Sequence, residues 1–134
     1  MTTITAPRTA PALARRTRLW FGADAVVTAT NALAYLVLAG PLADLLGGEA
    51  GAYRELGLFM VGYAVVVGLY ARSRMPSGAG WAIVAGNAVG VLASLEIAVT
   101  GAFGLENAGR VWAVAQALVV ADLALLQARS LRAR

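Results

Sequence analysis

Asp24, Thr28, Asn31 and Tyr35 interrupt an otherwise apolar run, DAVVTATNALAY, at intervals of four, three and four residues. At about 100° per residue these side chains lie within about 60° of one another on a helix, which makes one polar stripe. A carboxylate, a hydroxyl, an amide and a phenol on one edge can hold a proton, a cation or a hydrogen-bonding ligand. Later segments carry matching groups: Tyr63 and Tyr70, then Asn87 and Glu96, then Gln116 and Asp122. Counted inward from the arginine-rich ends, Asp24, Asn87 and Asp122 each fall about 8–9 Å deep at the helical rise. Tyr70 reaches the same level. These residues form an expected inner polar layer, and Asn31, Tyr63, Glu96 and Gln116 an outer one. Asn87 and Glu96 are nine residues apart, on nearly opposite faces of one helix. One of the two therefore faces a neighbouring subunit or a different helix pair.

No arginine lies inside these segments to neutralise Asp24, Glu96 or Asp122. A carboxylate buried without a countercharge keeps its proton or binds a cation, and intramembrane acids often mark proton or substrate pathways. A structural reading stands beside the functional one: protonated Asp24 and Asp122 hydrogen-bond Asn87 and tie helices together. The leading expectation is binding, or proton-coupled transport, of a small apolar or cationic molecule, with aromatic walls from Tyr35, Tyr63 and Tyr70. The alternatives are a membrane-embedded isomerase or cyclase with Asp24 or Asp122 as general acid, and an accessory subunit of a larger membrane complex.

Composition says what must position these residues. The AVILMFWYC residues make up 60% of the 134-residue chain and charged residues only 13%. Soluble domains hold about 45–50% apolar residues and about 25% charged ones. The surplus apolar surface faces lipid. Without cysteine or histidine, thiol catalysis, disulfides, imidazole chemistry and the common zinc sites are excluded. No metal-ligand cluster, phosphate-binding glycine loop or cofactor motif is present. The net charge of +4 comes from arginines at the ends and in one loop, without aromatic interleaving, and does not point to nucleic acid.

Four apolar segments fit a span of about 20 residues, near 19–40, 55–71, 81–101 and 111–128. The expected architecture is an all-α, up-down-up-down four-helix transmembrane bundle over residues 19–128. A disordered basic tail (1–18) precedes it and a basic tail (129–134) follows. Gly40-Pro41 should end the first span, and PLADLLGG should form an interfacial turn with Leu42, Leu45 and Leu46 dipping toward lipid. Nine of the eleven arginines fall on one side, with Asp44, Glu49, Glu55 and Glu106 on the other. The positive-inside rule then makes both termini cytoplasmic in a multi-pass cell-membrane protein.

A cleaved or twin-arginine signal at ARRTRLW fits less well, because Asp24 and Asn31 interrupt its apolar stretch. An aspartate at mid-span costs about 2.5–3.5 kcal/mol, against about 0.3–0.6 returned by each Leu, Ile, Phe or Val. The first span is thus marginal alone and needs partners for its polar edge.

On the third span Ala82, Gly86, Gly90, Ser94 and Ala98 recur every fourth residue and include a GxxxG. Such a ridge admits another helix backbone, within the bundle, in a homo-oligomer or on a membrane partner protein. LAGPLADLLGG followed by YRELGLFMVGYAVVVGLYARSR resembles small four-transmembrane integral membrane proteins of actinobacteria. That group has no assigned activity, so the resemblance implies fold and location alone.

Overall fold

The computed structural model describes residues 9–134, and its elements are helices: α1 (Ala10–Val37), α2 (Ala39–Leu46), α3 (Ala50–Arg72), α4 (Ser77–Thr100) and α5 (Asn107–Arg132), with a 3₁₀ turn at Ala102–Gly104. Three helices, α3, α4 and α5, are each long and apolar enough to cross a membrane. α1 meets that criterion only together with α2, from which it is bent by 90°. The polar stripe on α1 explains the difference, since it lowers the mean hydropathy of a helix otherwise fit to span. The chain is a small multi-pass membrane protein of three or four spans.

α1 begins nine residues before the expected boundary at Leu19. Pro11 sits in its first turn, where a missing N–H costs nothing, and the Ala/Leu/Arg sequence that follows favours helix. Residues 10–18 are therefore helix rather than tail, and residues 1–8 of the expected disordered segment lie outside the described residues. α5 likewise continues through most of the expected C-terminal tail, to Arg132, because Ser130 and Leu131 are buried.

The first span breaks at Leu38, ahead of Gly40-Pro41, and Pro41 falls in the first turn of α2. PLADLL is helical with one face turned inward, and Gly47 and Gly48 end it at positive φ. Leu46 is buried and Leu42 half-buried against Tyr35, Ala39 and Tyr53, while Leu45 stays exposed. Of the three leucines expected to dip toward lipid, only Leu45 stands outward.

The bundle pairs α1 with α3 and α4 with α5, and α1 meets α5 between the pairs. At the end carrying both termini, Phe21 packs against Tyr70, ring centroids 4.7 Å apart and planes tilted by 59°, in a core with Val67, Met75, Ile83 and Leu131. Arginines close helix ends there: Arg18 donates to the carbonyls of Ala71 and Ser73, and Arg134 to that of Met75. A cation at a helix C-terminus answers its partial negative charge. At the α2 end the Glu106 N–H donates to Leu46 O (2.9 Å) and the Gly48 N–H to Gly104 O (3.2 Å).

Close backbone approach occurs at glycines outside the expected ridge. A Cβ on Gly57 would stand 2.9 Å from Leu36 and 3.1 Å from the Ala32 carbonyl, so this glycine lets α3 lie against α1. Gly109 meets the Leu46 carbonyl in the same way. On α4, Gly86 lies against the Tyr63 hydroxyl, Ser94 is half-buried, and Gly90 has no neighbour within 4 Å of where a Cβ would stand. Within the bundle the GxxxG is not a continuous contact: of its two glycines, which share one helix face, only Gly86 meets α3.

Candidate functional site

Asp24, on the face of α1 turned to the other pair, is 2% exposed. Its Oδ2 accepts from Asn87 Nδ2 at 2.8 Å and from Gln127 Nε2 at 2.7 Å. The second Asn87 N–H donates to Gln127 Oε1 at 2.9 Å, which closes a ring of three side chains. Tyr63 donates to Asn87 Oδ1 at 2.8 Å, and Thr28 donates to Asp24 Oδ1 at 3.2 Å. α1, α3, α4 and α5 each contribute. The ring supplies N–H donors to the carboxylate without a formal positive charge, and among the described residues no buried side-chain N or O atom lacks a partner. A satisfied polar network of this kind fixes helix register, since each missing bond in a dry interior costs about 1–3 kcal/mol.

Of the three residues expected in the inner layer, the structure brings Asp24 and Asn87 together, while Asp122 is exposed on the outward face of α5. Gln127 takes its place at 0% exposure. The physical reason is the length of α5: it ends at Arg132 rather than at 128, so the level counted from its end moves by about one turn. Tyr63 belongs to the inner layer and not the outer. Tyr70 is buried in the terminal core instead, donating to Pro76 O at 3.1 Å.

The outer layer also differs. Gln116 Nε2 donates to the Tyr35 hydroxyl at 2.6 Å, and Trp112 Nε1 donates to the same oxygen at 2.9 Å. Asn31 is half-buried and joins neither cluster, and Glu96 is exposed, facing away from Asn87 as their spacing requires. Tyr53 stands edge-on to Tyr35 at 5.7 Å and donates to Gly47 O at 2.8 Å.

Beside this cluster a cavity of about 420 Å³ opens between α3, α4 and the start of α5. Tyr35, Tyr53, Trp112 and Gln116 form its inner wall, Ser94 and Ile97 one flank, and Glu49 and Glu55 also line it. Its size falls within the range of about 300–1,000 Å³ usual for small-molecule pockets. No family model, curated protein or solved structure matches this chain. Its chemistry must be read from the residues.

The two clusters do different things. In the Asp24 ring every polar atom has a partner among Asp24, Asn87, Gln127, Tyr63 and Thr28, and only the second Gln127 N–H, away from the cavity, is left over. The Tyr35 cluster is open. A hydroxyl has two acceptor positions and one donor. Trp112 and Gln116 fill both acceptor positions, so the Tyr35 O–H proton is left over, as is the Gln116 carbonyl oxygen. Turning the Gln116 amide over only changes which group is spare: Tyr35 would donate to Oε1 and the amide N–H₂ would be free.

Gln127, Trp112 and Tyr53 were missed from the sequence. A signal for Gln127 existed: Asp24 and Tyr35 are eleven residues apart on α1, as Gln116 and Gln127 are on α5. Eleven residues are about three turns, so each pair lies on one helix face. Antiparallel, those faces join Asp24 to Gln127 and Tyr35 to Gln116.

Proposed function

We propose that this membrane protein binds a small, mostly apolar molecule in the cavity at the α2 end. The observation that carries the reading is the spare hydrogen-bonding capacity of Tyr35 and Gln116 on the wall of a cavity otherwise dominated by apolar and aromatic side chains. A lipid-soluble molecule with one hydroxyl or carbonyl would satisfy that capacity and fill the remaining space. α3 and α4 touch only sparsely, which favours access from the bilayer between them. With both termini cytoplasmic, as the arginine distribution argues, the cavity faces the outer leaflet. In this reading the Asp24–Asn87–Gln127 ring braces the spans, and binding does not pass through it.

The test uses the full chain in nanodiscs with Trp20→Phe and Trp81→Phe, leaving Trp112 as the reporter. Neutral para-octylphenol should change Trp112 fluorescence saturably, and Ala113→Phe, which fills the cavity, should abolish the saturable part. A linear response that Ala113→Phe leaves unchanged refutes the reading.

A second reading has its own support: Glu96 and Asp122 are exposed on helices whose outer faces are otherwise apolar. A membrane partner that donates hydrogen bonds to these carboxylates would cover them, consistent with an accessory subunit. Replacing both with leucine should then dissolve the complex in native membranes, and an intact complex counts against it.

A further inference from the structure

We infer that the ligand of the α2-end cavity is an amphiphilic cation, its apolar body inside and its ammonium group at Glu49 and Glu55. This rests on the binding reading above and adds the charge of the ligand and the residues that select it. Both carboxylates line the cavity and both are exposed. Glu49 occupies the N-cap position of α3, yet its side chain makes no capping hydrogen bond. It is therefore free to face the cavity.

The ionisable groups at this end carry a net negative charge: Asp44, Glu49, Glu55 and Glu106 stand against Arg54 and Arg110, a balance of −2. Arg110 keeps its charge but holds it against the Ala98 and Val99 carbonyls, at the C-terminus of α4. Arg54 does not line the cavity, and its neighbour Glu55 projects about 100° away around the helix. The start of α3 carries only about half a positive charge, less than the two carboxylates beside it. Glu106, at the N-cap of α5, offsets the corresponding half-charge there.

Aromatic faces complete the argument. Tyr53, Phe103 and Trp112 line the same space, and Phe103 is largely exposed. Ring faces attract a cation, most strongly where water is sparse. Aromatic rings with two carboxylates suit a quaternary or protonated amine, while the Tyr35 and Gln116 wall takes a polar atom of the buried body. An anionic amphiphile of the same shape would meet the two carboxylates and be repelled.

Three probes with one apolar body separate the outcomes: para-octylphenyl-trimethylammonium, its tert-butyl carbon isostere, and para-octylbenzenesulfonate. Affinities are read from Trp112 fluorescence in nanodiscs, in the background already described. The ammonium should bind about tenfold more tightly than the tert-butyl isostere, and the sulfonate least. Glu49→Gln with Glu55→Gln should erase the ammonium advantage and leave tert-butyl affinity unchanged. Unchanged tert-butyl binding also shows that the variant is folded. Equal affinities for ammonium and tert-butyl, or preference for the sulfonate, overturn the charge selection while binding itself stands. Absence of saturable binding by all three removes the binding reading and this inference with it.

Discussion

The two membrane-level aspartates should respond oppositely to the same substitution. Asp24→Leu removes the acceptor of three hydrogen bonds and strands an N–H on Asn87 and another on Gln127 inside a closed bundle. Each stranded donor costs about 1–3 kcal/mol in a soluble core, and interhelical bonds in membranes average about 0.6 kcal/mol with a maximum near 1.7. Two stranded donors and a misfitting side chain make a loss of about 2–4 kcal/mol the expected result. Asp122→Leu removes a carboxylate that stands on the outward face of α5. The insertion scale assigns about 2.5–3.5 kcal/mol to a central aspartate and a small gain to leucine, so insertion of α5 should improve by about 3 kcal/mol. A third variant, Asp24→Asn, isolates the role of charge. Its amide oxygen can take the place of Oδ2 and its N–H₂ can donate to the Thr28 hydroxyl, so the loss should stay near 1 kcal/mol. The assay is reversible unfolding in mixed micelles followed by circular dichroism, with glycosylation-mapped insertion for α5. Equal destabilisation by Asp24→Leu and Asp122→Leu would refute the assignment of one aspartate to the ring and the other to the surface.

The glycines make a second contrast: Gly57→Leu should lower stability by about 1–3 kcal/mol or prevent folding, because a side chain would collide with Leu36 and the Ala32 carbonyl, while Gly90→Leu should be nearly neutral in the same unfolding assay. Tyr35→Phe removes the acceptor for Trp112 and Gln116, so stability should fall by about 1–2 kcal/mol and Trp112 emission should shift, and unchanged emission would place the indole elsewhere. Arg110→Ala should fray the end of α4, raising amide hydrogen exchange near Ala98 and Val99 with a loss of about 0.3–1 kcal/mol. Single cysteines at positions 49 and 134 should label asymmetrically in intact cells, position 49 reacting with an impermeant reagent and position 134 only after lysis. The reverse pattern would invert the orientation.

The parts of this molecule that were legible in the sequence are those set by distance along one helix. The apolar segments, the stripe at Asp24, Thr28 and Tyr35, and the depth shared by Asp24 and Asn87 all follow from counting residues at a known rise. What could not be counted is which way each helix is turned and where each one stops. α5 shows both problems at once. Its surface mixes Ala, Val and Leu on every side, so its apolar pattern does not pick the face that meets α1, and Asp122 and Gln127 were equally eligible. Its end was placed at the first arginine, although Arg129 and Arg132 belong to the last turns of the helix. The same holds at α1: Arg15, Arg16 and Arg18 read as a basic tail along the sequence, yet they lie on a continuous helix.

Pairing corrects what counting along single helices cannot. The eleven-residue interval repeated on α1 and α5 is a constraint between two helices, and it is met only if Gln127 opposes Asp24 and Gln116 opposes Tyr35. Two polar contacts about 16 Å apart hold an antiparallel pair against both sliding and rotation. Sliding by one residue would break both contacts together. That rigidity has a consequence for the cavity: α1 and α5 form a fixed wall bearing Tyr35, Trp112 and Gln116, and the sparse α3–α4 seam opposite is the side free to open. Bridging that seam with a bifunctional thiol reagent between cysteines at 56 and 97, both on the cavity lining, should therefore slow ligand association far more than a bridge between α1 and α5. If a bridge between positions 24 and 127, whose side chains meet across α1 and α5, slowed association equally, access would not run between α3 and α4, and the division into a rigid wall and an opening seam would be wrong.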